Sequence, residues 1–177
     1  IQVYSQDLIK NVQANSSTDE IYRMNPLMQL HTPQYANDQP MVFLRGFRVA
    51  TSFRDGLLGD QFGHGTTIED TEKVEFFNGL SGFLYGPANV GGMTNFISKR
   101  STVKPLNEIT LGSTGGKNWY IGGDFSGKFD DENKFGYRLN AMKQDGETQI
   151  KNQNIDKKFI SLALDWQLTD QLSLQLD

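Results

Sequence analysis

The chain has 177 residues, of which 37% are apolar, with a formal net charge of −4 and no cysteine. The length allows one large domain or two small ones, and the lack of cysteine excludes a disulfide scaffold and thiolate chemistry. The basic residues are dispersed, which excludes the concentrated positive surface of a nucleic-acid-binding protein. No stretch approaches the roughly 18 apolar residues of a membrane-spanning helix, although β-barrels stay open because their strands carry only an alternating signal.

The first part of the chain, up to about residue 104, mixes short helical patterns with short strands. Residues 1–4 are strand-like, and because no signal peptide precedes them we expect either a cytosolic protein or a piece of a longer one. Ser17 and Glu20 have the spacing of a capping box, which predicts a helix start, and Pro26 predicts its end near Asn25. Further strands are predicted at 41–47, 51–54, 73–77 and 93–98. The pattern indicates a small α+β module.

From residue 107 onward, apolar and polar residues alternate with the period of two that is typical of β-strands. In the run 118–129, Trp119 and Ile121 share one face while Tyr120 and Asp124 share the other. A shorter run precedes it at 108–111, and further runs follow at 134–143, 157–168 and 172–177. Most of them are about ten residues long, which is the length of a tilted membrane strand.

The connections between the long runs are predicted to be short at 130–133, long at 144–156 and short again at 169–170. Outer-membrane barrels have this asymmetry, with tight periplasmic turns and longer outer loops. A soluble β-sandwich also alternates, so the pattern leaves both folds open. About five strands are fewer than the roughly eight of the smallest bacterial membrane barrels, and lipid does not tolerate an open sheet edge. A membrane sheet here would therefore be incomplete.

The sequence contains no catalytic or metal-binding motif that we recognise. The stretch from Gly79 to Gly82 lacks the Gly-x-Ser-x-Gly spacing of a nucleophile elbow. The glycines on either side of His64 do not continue into a dinucleotide fingerprint or a phosphate loop. With two histidines, His31 and His64, and no cysteine, a zinc site would depend mostly on carboxylates. We predict that the protein is not an enzyme.

A series of short motifs runs in order through residues 45–100. They are Arg45-Gly46-Phe47, Asp55-Gly56, Val74-Glu75, Leu84-Tyr85-Gly86, Gly91-Gly92, Asn95 and Lys99-Arg100. In this order and spacing they resemble the plug domain of TonB-dependent outer-membrane receptors. Two later stretches, 122–127 and 137–140, are similar to the first barrel strands of the siderophore-receptor branch. The chain departs from the family pattern at Asn78, where a basic residue followed by Gly-Pro is usual.

The resemblance implies a fold and a function. The fold would be an α+β plug domain over residues 1–104, followed over 105–177 by antiparallel strands that begin a transmembrane β-barrel of roughly 22 strands. The function would be import of a ferric siderophore across the outer membrane of a Gram-negative bacterium, driven by TonB and the proton-motive force. Another cargo, such as cobalamin, haem, another metal complex or an oligosaccharide, remains open, as does a soluble β-rich binding module.

The resemblance also implies partners and cofactors. The partners would be the ferric siderophore, outer-membrane lipid and the TonB complex, which would engage an N-terminal box lying before Ile1. Iron would be carried by the siderophore, so neither a cofactor nor metal ligands are expected from the protein. No nucleic acid is expected.

The resemblance further implies which residues form the site. The ligand-facing loops would lie near residues 32–38 and 59–65, and ordinary exposed loop residues are the alternative interpretation. The side chains predicted to contact the ligand are Gln34, Tyr35, Gln61, Phe62 and His64. Those predicted to form polar contacts between plug and barrel are Arg45, Glu75 and Arg100.

Glycines are expected to have a structural role in a plug, because a stopper that fills a pore needs close backbone packing and tight turns. The glycines predicted to serve this purpose are Gly46, Gly79, Gly86, Gly91 and Gly92. The small core of the plug is predicted to consist of Phe76, Phe83, Leu84 and Phe96.

Overall fold

The computed structural model describes residues 1–12, 14, 17–34, 40–59, 66–79, 89–130 and 132–177. The chain divides into two compact units, Ile1–Ser98 and Lys99–Asp177. No helix in these described stretches is long and apolar enough to cross a membrane.

The described residues of the first unit form two short helices and two sheets. In chain order the elements are β1 (Gln2–Ser5), α1 (Gln6–Asn11), α2 (Asp19–Met24), β2 (Met28–Thr32), β3 (Met41–Leu44), β4 (Phe47–Val49), β5 (Phe53–Arg54), β6 (Leu57–Leu58), β7 (Thr71–Asn78) and β8 (Gly92–Ser98). One sheet has the order β1-β7-β8-β5-β6, with β5 parallel to β8 and the other pairs antiparallel. A smaller antiparallel sheet has the order β2-β3-β4.

Both sheets and helix α2 contribute to one apolar core in the first unit. Phe76 of β7 and Phe96 of β8 are buried there, as predicted, together with Leu44 of β3 and Ile21 of α2. Full burial of such side chains stabilises a fold by roughly 1.5–3 kcal/mol each. Of the predicted core, Phe83 and Leu84 lie outside the described residues.

The predicted capping box at the start of α2 is confirmed only in part, because Oγ of Ser17 accepts from the backbone N–H of Asp19 at 3.1 Å but Glu20 does not complete the box. The helix begins at Asp19 with Thr18 as its N-cap, and the Thr18 side chain makes no capping bond. Instead, the backbone N–H and the hydroxyl of Thr18 both donate to Oε1 of Gln34, at 2.9 and 3.0 Å. Glu20 pairs with Arg23 rather than reaching back to the N-cap. A long-range contact of Thr18 is therefore added to the local bond of Ser17, and the helix ends next to Asn25 as expected.

The single strand predicted at 41–47 is two strands joined by a tight turn. Arg45 and Gly46 both have positive φ, 55° and 83°, which reverses the chain between β3 and β4. Leu44 and Phe47 are directly paired across this hairpin. The backbone N–H of Arg45 donates to the carbonyl of Leu27 at 2.9 Å, which fixes the turn against the chain segment before β2.

The second unit is one antiparallel meander of five strands. The strands are β9 (Leu106–Gly112), β10 (Lys117–Lys128), β11 (Phe135–Glu147), β12 (Asn154–Thr169) and β13 (Leu172–Leu176), in the sheet order β13-β12-β11-β10-β9. All five predicted strands are present, with faces that alternate as predicted. The strands β11 and β12 are longer than predicted, because polar residues continue the pairing as far as Glu147 opposite Asn154.

The predicted difference between short and long connections is consequently wrong. The connection between β10 and β11 covers 129–134 and that between β11 and β12 covers 148–153, so the two are equal in length. Side-chain bonds stabilise both. Asp130 accepts from the backbone N–H groups of Lys134 and Phe135, and Thr148 donates to Gln153.

Candidate functional site

The residues predicted to contact the ligand fall mostly outside the described stretches. This is so for Tyr35, Gln61, Phe62 and His64. Gln34 is described and is 2% exposed. Besides accepting from Thr18, it donates its backbone N–H to Oδ1 of Asp19 at 2.7 Å. Gln34 thus joins the end of the β2 segment to the start of α2, and its contact with a ligand stays a prediction.

A buried tyrosine lies next to this polar junction. Tyr22 is on α2, one turn after Thr18, and belongs to the apolar core of the first unit. The pKa of Tyr22 is raised to about 12, mainly because a phenolate would lose its hydration on burial; a hydrogen bond with Thr18 lowers this pKa and the neighbouring Asp19 carboxylate raises it, both by less than burial does. The phenol therefore stays neutral at any physiological pH.

Of the residues predicted to join plug and barrel, Arg45 lies on the β3–β4 turn and its guanidinium covers Gly79. The Nη1 atom is 3.2 Å from the position that a Cβ at residue 79 would occupy. Because Gly79 has no side chain, the guanidinium can lie against the backbone at the end of β7. Asn78 precedes Gly79 and stands where the family pattern has a basic residue. In the described part of the unit, Arg45 therefore brings a positive charge next to that position.

Glu75, the second of these residues, has two partners within its own unit. Its Oε1 pairs with Nζ of Lys73 at 2.7 Å, and its Oε2 accepts from Nδ2 of Asn95 at 3.1 Å. Asn95 in turn accepts from the backbone N–H of Gly56 at 3.0 Å. Glu75 therefore connects β7 to β8 and to the β5–β6 turn. Its predicted contact with a barrel wall remains a prediction.

Gly91 and Gly92 are required by close backbone approach in the first unit. A Cβ at Gly91 would overlap the carbonyl oxygen of Leu44, and a Cβ at Gly92 would overlap the carbonyl oxygen of Phe77. Gly92 also has a φ of +134°, which side-chain-bearing residues rarely adopt. The two glycines thus allow the start of β8 to pack directly against β3 and β7. Of the other predicted glycines, Gly86 lies outside the described residues.

A polar group that sequence reasoning did not assign a role holds the end of β8. Asp55, at the β5–β6 turn, accepts from the backbone N–H of Ser98 at 2.9 Å and from its hydroxyl at 2.7 Å. Arg54 donates to the Ser98 hydroxyl at 3.2 Å and to Asp70 at 3.0 Å. The last residue of the first unit is therefore bonded to the β5–β6 turn, at an exposed place.

The two faces of the five-stranded sheet have the reverse of the polarity found in a water-soluble protein. Large apolar side chains of one face are exposed, with Trp119 at 47%, Ile160 at 74% and Trp166 at 48%. On the other face, Arg138 is 2% exposed and Gln144 is 1% exposed. Burying charged and amide groups while exposing aromatic ones is unfavourable in water unless another medium covers the apolar face.

The buried polar face carries a cluster of charges centred on Asp124 of β10. Arg138 of β11 donates Nε to Oδ1 and Nη2 to Oδ2 of Asp124, the latter at 2.7 Å. Lys99 donates Nζ to Oδ2 of Asp124 at 2.8 Å and to Oδ1 of Asn140 at 3.3 Å. The bidentate pair fixes the guanidinium plane. This cluster was not predicted from the sequence. Its signal was that Asp124 and Arg138 are charged residues on the polar face of two neighbouring strand-like runs.

Arg100, the third residue predicted to form plug–barrel contacts, is bonded to the end of the same sheet. It pairs with Asp177 at 2.7 Å and with Asp165 of β12 at 3.6 Å. Its backbone carbonyl accepts from Nη1 of Arg138 at 3.3 Å. The residues brought together here are thus Lys99, Arg100 and three acidic side chains of the second unit. In the described stretches, no group of three or more His, Cys, Asp or Glu residues is placed to hold a metal ion.

Comparisons with known proteins give a consistent result. A family model described as the TonB-dependent Receptor Plug Domain matches residues 1–93. The ferrichrome outer membrane transporter/phage receptor of Escherichia coli is 26% identical over 162 residues, covering 88% of this chain and 22% of that protein. The ferrichrome receptor FcuA of Yersinia enterocolitica is 29% identical over 172 residues, covering 92% of this chain and 22% of that protein. The chain therefore spans about a fifth of the length of these relatives.

Solved structures with the same arrangement are also known. BauA, the ferric preacinetobactin receptor of Acinetobacter baumannii, superposes with a TM-score of 0.85 at 24% identity, over 93% of this chain and 25% of that one. The pyoverdine outer membrane receptor FpvA of Pseudomonas aeruginosa gives a TM-score of 0.86 at 20% identity, over 98% of this chain and 26% of that one. At these identities the likeness concerns the fold.

Proposed function

This chain belongs to the TonB-dependent receptor plug domain family, and we propose from that premise that its protein is an outer-membrane receptor importing a ferric siderophore. The predicted family is thereby confirmed, as is the predicted fold of a plug followed by antiparallel strands. We assign residues 1–104 to the plug and 105–177 to the first strands of the surrounding barrel. Transport would depend on TonB and the proton-motive force.

The observation that carries this proposal is the reversed polarity of the β9–β13 sheet. Its exposed face is apolar and includes Trp119, Ile160 and Trp166, while charged side chains are buried on the other face. Lipid against the apolar face would satisfy its exposed side chains, because apolar groups lose no free energy when they are exposed to hydrocarbon. A soluble binding module would require the opposite arrangement.

The choice of cargo rests on the relatives. The relatives include proteins named as receptors of ferrichrome and of ferrioxamine B, and both ligands belong to the class of ferric siderophores. We infer the same class of cargo here. TonB would capture a segment preceding Ile1 by adding it as a strand to its own sheet, the mode by which extended peptides are commonly bound. Iron would arrive within the siderophore, so the protein needs no metal site of its own.

Uptake measurements in a strain lacking the gene would test the proposal. We expect loss of uptake of one radiolabelled ferric siderophore, restored by the gene in a tonB-positive but not in a tonB-negative background. Ferrichrome, ferrioxamine B and a catecholate chelate form the first panel, and cobalamin and haem are the controls for cargo. Unchanged uptake of every siderophore, together with loss of cobalamin or haem uptake, would show that the cargo is wrong.

The predicted ligand contact of His64 can be tested with a built-in control, because the chain has two histidines. The other, His31, lies on β2, is exposed, and contacts the Phe43 ring edge-to-face. We expect His64→Ala to weaken siderophore binding by about 1–2 kcal/mol, roughly 5- to 30-fold, as for a contributing interface residue. His31→Ala should bind as the unaltered receptor does. Equal affinities for both variants would remove His64 from the site.

A further inference from the structure

We propose that residues 99–102, which we name the strap, remain fastened to strands β10–β12 throughout transport, so that plug movement is confined to the chain before residue 99. This inference rests on the proposed function, because it concerns what moves when a ligand is imported. It assigns the strap the role of a fixed anchor between two parts of one receptor. The argument uses the contacts of the strap with its own unit and the contacts that end at Ser98.

The strap crosses the polar face of the sheet and is bonded to successive strands. The Lys99 ammonium binds Asp124 of β10, and the backbone N–H of Thr102 donates to Oγ of Ser126 on the same strand at 2.8 Å. The backbone N–H of Ser101 donates to Asp165 of β12 at 2.8 Å. The β11 strand participates through Arg138, which donates to the carbonyl of Arg100. Each of the four strap residues therefore has a bond to the sheet.

Burial makes these bonds difficult to release. Lys99, Asp124 and Arg138 are each more than nine-tenths buried. Separating Lys99 from Asp124 would leave charges in a region with little water, where removing one partner of an ion pair is strongly destabilising. The strap also carries two cations, Lys99 and Arg100, so both would have to be freed together for the segment to lift from the sheet.

The bonds on the other side of the junction are of a different kind. Ser98 is joined to Asp55 by two hydrogen bonds that are exposed to solvent, and to Arg54 by a third, at 3.2 Å, that is only partly buried. Water can replace such bonds at a small net change in free energy, because exposed hydrogen bonds exchange readily with solvent. No residue separates Ser98 from Lys99, so a displacement of β8 acts directly on both attachments. The exposed attachment at Ser98 should therefore open while the buried one at Lys99 holds.

A disulfide that locks the strap to the sheet tests the proposal in the full-length receptor. The Thr102→Cys, Ser126→Cys pair places both sulfurs at this contact, because Oγ of Ser126 lies 2.8 Å from the backbone nitrogen of Thr102, and these 177 residues contain no native cysteine; mass spectrometry verifies that the bond has formed before uptake is measured. We expect the oxidised receptor to import the siderophore at the rate of the reduced one. A loss of uptake on oxidation that a reductant restores would overturn the proposal.

A second measurement keeps the proposal testable if that pair fails to fold. We expect Asp124→Asn to accelerate hydrogen exchange of the Ser101 and Thr102 amides at least tenfold, because two buried cations then face a neutral amide. The control is Asp156→Asn, since Asp156 is exposed and pairs only loosely with Lys158, at 3.6 Å. Unchanged exchange in Asp124→Asn would show that the cluster does not hold the strap.

The two experiments separate this inference from the proposed function. If the unaltered receptor imports none of the siderophores, the proposed cargo is wrong, while the exchange measurement still reports whether the strap is fastened. If uptake is normal and oxidation of the Thr102→Cys, Ser126→Cys receptor abolishes it, the strap must move and only the present inference fails.

Discussion

Replacing Gly92 by alanine tests whether glycine is required for close packing in the plug. Gly92 begins β8 with a φ of +134°, and a Cβ there would overlap the carbonyl oxygen of Phe77 and lie 2.7 Å from Cδ2 of Leu44. The first of these is a backbone atom, so no side-chain rotation relieves the overlap. Gly46 is the matched control, because its φ is +83° but nothing lies within 4 Å of its Cβ position.

The two substitutions should differ in magnitude because they share only one unfavourable term. A non-glycine residue in a left-handed conformation costs about 1–2 kcal/mol, which we expect for Gly46→Ala. Gly92→Ala meets a comparable backbone strain of about 1–3 kcal/mol and, in addition, about 1–3 kcal/mol for overpacking. We therefore expect Gly92→Ala to lower the local stability by about 2–6 kcal/mol, which exceeds the effect of the control by the overpacking term, about 2 kcal/mol at the middle of its range.

Hydrogen exchange of the β7 and β8 amides in the detergent-solubilised receptor measures this difference, since protection reports the free energy of local opening. A difference of about 2 kcal/mol corresponds to roughly 30-fold faster exchange in Gly92→Ala than in Gly46→Ala. Equal protection in the two variants would refute the reasoning, because backbone conformation alone would then account for the glycine. Undiminished protection in Gly92→Ala would refute it more directly, as the chain would have accommodated the extra atom.

Three further predictions concern single side chains. The folded-state pKa of Tyr22 is about 12, against 10.0 for a free tyrosine. Its contribution to the free energy of unfolding should therefore be complete below pH 10 and fall by roughly 3 kcal/mol as the pH rises to about 12. Denaturant unfolding should show this loss in the parent and not in Tyr22→Phe, and a Tyr22 phenolate already present at pH 10 would contradict the prediction. Ile160→Arg should lower the unfolding free energy of the sheet in lipid vesicles by about 2–4 kcal/mol. Ile150→Arg, in the 148–153 connection, is the control and should change the unfolding free energy by less than about 0.5 kcal/mol. Equal effects of the two substitutions would argue against lipid on the apolar face of the sheet. Backbone N–H groups of Phe135 and Lys134 hold the pKa of Asp130 below its usual value, so the turn should lose stability as the pH falls through that lowered pKa, and a pH titration of Asp130→Asn should lack this loss.

The sheet of the second unit could be predicted because its pattern is local. Alternate residues of a strand point to opposite faces, so Trp119 and Tyr120 were assigned to the correct sides from the sequence alone. The strand ends could not be predicted, because Gln144 and Glu147 are polar and look like loop residues. Their position in the sheet depends on pairing with β12, which a local pattern does not contain.

The first unit was less predictable because its elements are short and depend on distant partners. Helix α1 has six residues, fewer than two turns, so its apolar residues show no repeat, and it was missed; α2 is equally short but was found from the residues at its ends. The start of α2 was misplaced because Thr18 bonds to Gln34, which is 16 residues away. In contrast, Gly91 and Gly92 were recognised by resemblance, and the atoms of Leu44 and Phe77 now explain them.

The candidate site was predicted only in part. Lys99, Asp124 and Arg138, the charged residues of the buried cluster, all lie in motifs noted in the sequence. Long stretches of chain separate these residues from one another. Lys99 and Asp124, for example, are 25 residues apart. Nothing in the local sequence of either residue indicates the other. The sequence does show that Asp124 lies on the face of its strand opposite Trp119. If that face is buried, the carboxylate needs a cation as its partner.

The bonds of the strap have a consequence for the biosynthesis of the receptor. Its partners follow it in the chain at increasing distances: Ser126 is 24 residues from Thr102, Asp165 is 64 from Ser101, and Asp177 is 77 from Arg100. A segment that needs such remote partners stays unfastened until they have been made, and contacts of large sequence separation form slowly. When the protein folds, the Thr102–Ser126 contact closes the shortest of these loops and should therefore form before the contacts of Ser101 and Arg100.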